Sequence, residues 1–219
     1  MSIISLRGVE KSFHGRPVFT DVNLDVEEGT AVALQGENGS GKSVLLKIMC
    51  GFVAPDAGTV TIDPRYLSKG RTFSEGFGVL IDRPGYIPLL SGLDNLMSLA
   101  RIRNKIDERK VRATLELVGL DPDLPQKTRY YSLGMKQRLG IAQAIMEDQP
   151  ILLLDEPFNA LDVDTVAEFR SLFRRLVDSG RTLVLTSHNQ DDINAVADVA
   201  YRFRREHLEL VPALGEEEK

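Results

Sequence analysis

Residues 36–43 read GENGSGKS, a G-x-x-x-x-G-K-[ST] run that follows directly on the apolar stretch Ala31-Val32-Ala33-Leu34. Gly36, Gly39 and Gly41 let backbone N–H groups converge on phosphate oxygens with no Cβ in the way. Lys42 places a point charge on the β- and γ-phosphates, and Ser43 offers a hydroxyl ligand to Mg²⁺. A flexible glycine-rich turn has the same composition, but this run lies between a strand-like segment and a helical one (residues 43–49), the context a phosphate-binding P-loop requires. Further on, Leu153-Leu154-Asp155-Glu156-Pro157 ends an apolar strand in two acids. Beside a P-loop, Asp155 suits Mg²⁺ binding and Glu156 is placed to polarise a water against a γ-phosphate; away from one, the pair would be a solvated turn. A third apolar run ends Thr186-Ser187-His188-Asn189 and brings His188 to the same edge.

A second place for an anion is written at residues 131–145, YSLGMKQRLGIAQAI. From Met135 on, Leu139, Ala142, Ile145 and Met146 recur three and four apart, one face of a helix. Ser132-Leu133-Gly134 supplies a hydroxyl and a small residue at its entrance. Helix N-termini expose unpaired N–H groups and a partial positive charge, and they hold anions well. Taken alone, Ser132 reads as an ordinary N-cap.

These residues need a scaffold that delivers loops to one edge. Residues 31–34, 151–154 and 183–185 are short, continuous apolar runs, the pattern of parallel strands covered on both faces. Between the last two, Val166, Phe169, Leu172, Phe173, Leu176 and Val177 fall at helical spacing, closed by Gly180. The alternation predicts an α/β architecture with right-handed crossovers. Residues 3–6, 22–26 and 59–62 alternate in strand fashion and predict a mostly antiparallel flank, whereas residues 92–148 read as helical throughout, an insertion between two parallel strands.

Bulk properties narrow the class. The chain has 219 residues, a formal net charge of −5 and one cysteine, Cys50, set in an apolar run and read as a small core residue. At the level of the whole chain, the basic footprint of non-specific nucleic-acid binding is missing. No stretch approaches the ~20 consecutive apolar residues of a membrane span, and the first residues lack a secretory pattern, so a soluble, cytoplasmic domain is expected. The acidic Glu216-Glu217-Glu218 reads as solvated.

Taken in order, the P-loop, the serine–glycine entrance to a helix, LLLDEP and the later histidine resemble the nucleotide-binding subunit of ATP-binding cassette (ABC) transporters, over essentially the whole chain. The resemblance implies an α/β P-loop NTPase (RecA-like) core with a mostly parallel sheet, an antiparallel β flank and an inserted helical subdomain. It further implies one ATPase domain over 1–219, with 1–87 and 149–219 as core and flank and 88–148 as the helical subdomain. Gly36, Asn38, Gly39, Ser40, Gly41, Lys42, Ser43 and Val44 then match the Walker A loop that binds ATP; Asp155 and Glu156 match the Walker B acid and the catalytic glutamate. His188 stands as the switch histidine, and Asn159-Ala160-Leu161-Asp162 as the D-loop. Phe13 takes the place of the aromatic that stacks on adenine, although a core phenylalanine reads the same way. In the family two cassettes pair head to tail, and Ser132 and Gly134 would then clamp the ATP of a second copy or of a related cassette. ATP and Mg²⁺, the latter through Ser43, Asp155 and Asp82, are the implied cofactors. The implied partner is a separate transmembrane permease that keeps the chain on the inner face of the cell membrane, with a docking surface through Leu96 and Ala100 and no nucleic acid involved.

Two departures stand out. Leu133 replaces a second glycine and Lys136 a glutamine in the signature, and Asp82 falls where the Q-loop has its glutamine, in Val79-Leu80-Ile81-Asp82-Arg83-Pro84-Gly85-Tyr86. A carboxylate still ligates Mg²⁺ but is one methylene shorter and adds negative charge. An acid there together with SLGMKQR is similar to the branch that serves antibiotic-peptide exporters of the bacitracin type. The rivals are a non-transport ABC ATPase of DNA repair, chromosome organisation or translation, and a regulatory module that holds ATP without hydrolysing it. Against the former, Ser43 and Ser132 are too close for an intervening coiled coil, no sustained heptads appear, and there is a single motif set.

Overall fold

The computed structural model describes residues 1–68, 75–82 and 85–211. Glu216-Glu217-Glu218 and the Arg83-Pro84 pair lie outside the described residues. Two sheets are formed. The first joins β1 (Ser2–Phe13), β2 (Arg16–Glu27) and β4 (Ala57–Ile62) in the order β2-β1-β4, all antiparallel, where the alternating segments predicted a flank.

The second sheet has six strands in the order β5-β6-β7-β3-β8-β9: β3 (Ala31–Gln35), β5 (Phe77–Leu80), β6 (Ile151–Leu154), β7 (Thr182–Thr186), β8 (Val199–Arg204) and β9 (His207–Leu210). All pairs are parallel except β8 with β9. Every residue of β3, β6 and β7 is buried, as their unbroken apolar runs require. Successive side chains of a strand point to opposite faces, so one sequence feeds two cores. Leu152 and Leu154 join Phe173, Leu183 and Leu185 on one face; Ile151 and Leu153 join Val184, Leu34 and the antiparallel sheet's Ile4, Leu6 and Phe19 on the other. The sheet is larger than the three strands expected. Neither β5 nor β8 carries the unbroken apolar run of a doubly buried strand: β5 is four residues long and interrupted by Gly78, and β8 mixes arginines with its apolar positions.

Six α-helices are formed among the described residues: α1 (Lys42–Met49), α2 (Gly92–Arg103), α3 (Glu108–Leu117), α4 (Leu133–Ile145), α5 (Val163–Asp178) and α6 (Gln190–Val196). None is long and apolar enough to cross a membrane. Helices α2, α3 and α4 fall between β5 and β6, but residues 92–148 are not helical throughout. Gly119 at φ 71° ends the turn after α3, Pro122 and Pro125 follow, and the chain runs irregularly to a short 3₁₀ turn at Thr128–Tyr130. Cys50 is buried in the core as expected, and burial pushes its thiol up to about 11.

The insertion is fastened to the sheet where α4 crosses β5. A Cβ on Gly78 would collide with the carbonyl oxygen of Ala144 and come within 2.8 Å of Leu152 Cδ2, so only glycine permits this approach. Gly78→Ala is therefore expected to cost about 1–3 kcal/mol, as overpacking does. Urea denaturation checks it through a lower midpoint at an unchanged slope.

Candidate nucleotide site

The register of the parallel strands sets the geometry. Leu34 of β3 lies level with Thr186 of β7, and Leu185 with Leu154 of β6, so these strands release their chains at one edge. Ligands of open α/β sheets bind at the carboxyl ends of the strands. From β3 the chain enters the glycine loop, with Gly36, Gly39 and Gly41 at φ 151°, 85° and 101°. Gly41 caps α1, and a Cβ there would lie 2.7 Å from Val18 Cγ1 and 2.9 Å from Phe19 Cδ1. The β1–β2 hairpin thus presses on the base of the loop.

Lys42 is buried, and its Nζ donates to the carbonyls of Gly36 (2.8 Å) and Glu37 (3.0 Å), folding back across the loop. Ser43 and Val44 follow in the first turn of α1, half-buried, with amides that have no acceptor inside the helix. Asn38 and Gly39 are exposed at the tip. Phe13 ends β1 opposite Arg16 and is 46% exposed, which removes it from the core; Lys11 Nζ stands 5.3 Å from its ring centroid and pairs with Asp56.

Asp155 and Glu156 follow β6. Asp155 is buried, its Oδ1 accepting from the Thr186 hydroxyl at 2.8 Å and its Oδ2 lying 3.5 Å from the Asp82 amide. Glu156 adopts φ 45°, in the left-handed region, and its N–H donates to the same Thr186 oxygen at 2.7 Å. Its carboxylate meets His188 Nδ1 at 3.0 Å through Oε2, while Oε1 is 3.9 Å from Lys42 Nζ. Lys42, Asp155, Glu156 and His188, separated by up to 146 residues' worth of chain between Lys42 and His188, therefore form one connected group. Among the described residues Glu156 Oε1 and Ser40 Oγ are buried with no hydrogen-bond partner. Polar atoms left this way are costly unless a ligand completes them, and a lysine, hydroxyls and carboxylates facing one loop suit a triphosphate with a hard divalent cation. The donor set fits ATP and Mg²⁺.

Asp82 brings its backbone amide to Asp155, but its carboxylate lies apart, on α1. It has φ 61°, and its carboxylate is 2.7 Å from Lys47 Nζ of α1. The second anion site is also apart. Ser132 caps α4, accepting from the Met135 amide at 3.1 Å, and is exposed; Leu133 beside it is 73% exposed. Asp162 caps α5 and accepts from Thr165 N and Oγ1 at 2.9 and 2.7 Å, which hold its carboxyl below the usual range. Among the described residues no hydrogen bond or ion pair joins Ser132, Gly134 or Asp162 to Lys42, Asp155, Glu156 or His188.

Three features escaped the sequence reading. Thr186 bridges both acids, a role signalled by its place at the end of the strand next to β6. Arg202, Arg204 and Arg205 border a cleft of about 780 Å³ beside loop residues 36–40 and His188; three arginines in four residues were the available signal. Leu96 and Ala100, expected on a docking surface, are each 1% exposed. The groove of about 500 Å³ nearby is instead bordered by Phe52, Ile102, Arg103 and the Lys47–Asp82 pair.

A phosphate loop, a strand-end acid pair and a separate serine-capped helix on this sheet define an ATP-hydrolysing cassette. Residues 19–159 match the ABC transporter family, and the chain belongs to it. It is 34% identical over 207 residues to the ABC transporter ATP-binding protein YybJ of Bacillus subtilis (strain 168), covering 94% of this chain and 95% of that one. Over 208 residues it is 36% identical to the bacitracin transport ATP-binding protein BcrA of Enterococcus faecalis, covering 94% and 68%. The dimeric structure of the bacterial ABC transporter cassette MJ0796 superposes with a TM-score of 0.85 at 26% identity, covering 98% of this chain and 100% of that one.

Thr186 is fully buried, so Thr186→Val removes its hydroxyl and leaves Glu156 N–H and an Asp155 oxygen short of a partner. The expected loss is about 1–3 kcal/mol. Thr186→Ser should recover most of it, and equal urea midpoints for valine and threonine would show that the bridge contributes nothing.

Proposed function

We propose that this chain drives a separate membrane-spanning permease, and that it does so in head-to-tail pairs with a second copy or a related cassette. The observation that carries this reading is the division of the anion-binding residues. One group surrounds the glycine loop, and Ser132 is exposed at the start of α4, with no hydrogen bond or ion pair to that group among the described residues. Each ATP then lies between one chain's 36–44 loop and the other chain's Ser132 and Gly134, with Asp162 at the same face.

Within each site the residues have distinct work. The amides of Asn38 to Ser43, with Ser40 and Val44 alongside, cradle the phosphates; Lys42 releases the loop carbonyls it now satisfies and spans the β- and γ-phosphates. Phe13, exposed at the hairpin, offers its ring to adenine. Ser43, Asp155 and, once its carboxylate leaves Lys47, Asp82 are the residues to hold Mg²⁺, which offsets the charge of the phosphates when bound. Glu156 orients and deprotonates the attacking water, and His188, already on its carboxylate, supports the γ-phosphate. Residues 88–148 work as a helical subdomain against a core of 1–87 and 149–219. The permease docks in the groove between them, where Phe52 (57% exposed) and Ile102 (77% exposed) offer apolar surface. That contact places the chain on the inner face of the membrane. The direction we favour is export, of an antibiotic peptide or a similar compound, on the similarity to BcrA and the acid at residue 82.

Glu156→Gln is expected to lower ATP turnover by about 10²- to 10⁴-fold while ATP binding persists. Brisk turnover in that variant would overturn the assignment of the base. For the partner, the tagged chain is recovered from detergent-solubilised membranes of its host. A multi-span protein at near-equal stoichiometry is expected; recovery with ribosomes or DNA and no membrane protein would overturn the transport reading.

A further inference from the structure

One face of α4 grips the segment that carries Glu156. Gly134, Gln137 and Arg138 stand three and four residues apart, which places them on one side of the helix. Gly134 lies so close to the 156–165 segment that a Cβ on it would come within 2.9 Å of the Ala160 carbonyl oxygen. Gln137 Nε2 donates to the carbonyls of Glu156 (3.2 Å) and Pro157 (3.0 Å). Arg138 donates to Thr165 Oγ1 at 2.5 Å and approaches the Asp162 carboxylate to 3.5 Å.

The grip matters because Glu156 sits at φ 45°. A non-glycine residue stays in this region only where its surroundings over-determine it. Its N–H is fixed by Thr186 and its carbonyl by the amide of Asn159 and by Gln137. Thr186 belongs to the sheet and Asn159 to the same turn. Gln137 alone of these three comes from α4, the helix whose N-terminus carries Ser132. An amide group has two N–H donors, and Gln137 spends both on consecutive carbonyls, so a shift of α4 moves the backbone of Glu156 with it.

We propose that Gln137 is a positioning residue that links the two ATP sites of the pair. This rests on the head-to-tail arrangement proposed above. ATP held by the partner engages the N-terminus of α4, and Gln137 passes the resulting position of the helix to Glu156, which acts on this chain's own ATP. Each site then reaches its hydrolytic geometry only when the other is filled.

The test compares the wild-type chain with Gln137→Met, which keeps the length and volume of the side chain and removes both donors, and with Gln137→Lys, which restores a donor. Hydrogen exchange of residues 156–162 without nucleotide is expected to rise about tenfold in the methionine variant, the scale of a lost pair of hydrogen bonds, with exchange of residues 36–43 unchanged. The Hill coefficient for ATP hydrolysis should fall towards one while affinity for a fluorescent ATP analogue stays within about twofold, and lysine should recover both readouts. Unchanged exchange at 156–162, a retained Hill coefficient, or loss of nucleotide affinity in parallel with turnover would each overturn the proposal. A wild-type chain devoid of ATPase activity would instead strike at the proposed function, and the exchange result would still decide whether Gln137 holds Glu156.

Discussion

A hydroxyl one strand away decides where the acids of this site point. Thr186 Oγ1 accepts from the N–H of Glu156 and donates to the carboxylate of Asp155, so a single buried oxygen orients two neighbouring residues in opposite senses. It can do so only because β6 and β7 are parallel and in register, with Leu154 level with Leu185 and Thr186 one step beyond. A register slip of one residue would turn Thr186 to the other face of the sheet and separate the two acids from their common partner. The chemistry of the site is in this sense a property of the sheet before it is a property of the loops.

The sheet in turn keeps its register because both of its faces are paid for by packing. Leu152, Leu154, Leu183 and Leu185 face the helical side, and Ile151, Leu153 and Val184 face the side covered by α1 and the antiparallel flank. Any displacement of β6 would expose a leucine on each face, and full exposure of one such side chain costs about 1.5–3 kcal/mol. The flank does more than cover. Its hairpin brings Val18 and Phe19 against Gly41 and leaves Phe13 exposed at the end of β1. Stability and placement of the nucleotide residues are thus served by the same strands.

Much of this was legible in the sequence, and for physical reasons. A strand buried on both faces must be apolar without interruption, so β3, β6 and β7 announced themselves, and residues that follow such strands arrive at a shared edge. The glycine loop was legible because backbone at positive φ demands glycine. What stayed hidden was of another kind. Gln137 reaches Glu156 across 19 residues and Thr186 across 30, through side-chain hydrogen bonds that leave no periodicity behind. β5 was hidden because Gly78, needed for the approach of α4, interrupts the apolar run that would have marked a strand. Leu96 and Ala100 were assigned to a surface because their neighbours along the chain suggested a joint, whereas helical spacing had already assigned them to the inward face of α2.

The Lys47–Asp82 pair shows how a departure from the family pattern is accommodated. An extra carboxylate close to a triphosphate raises the negative charge that the loop has to balance, yet here a cation from α1 stands 2.7 Å from it. Both side chains retain contact with water, Asp82 at 60% and Lys47 at 28%, and exposed pairs of this sort contribute about 0–1 kcal/mol. So weak a pair does little for stability, and its value lies in where it sits. It joins α1, which continues from the phosphate loop, to the segment between β5 and α2, and it borders the groove shared with Phe52 and Ile102. A contact that costs little to break is open to bias, by nucleotide charge on one side or by a charged partner on the other. Asn95 acts a few residues further on, its side chain bonding both the N–H and the carbonyl of Ile87. Ile87 is therefore tied down by the buried Asn95 side chain, and Asp82, whose amide lies 3.5 Å from Asp155 Oδ2, by an exchangeable ion pair.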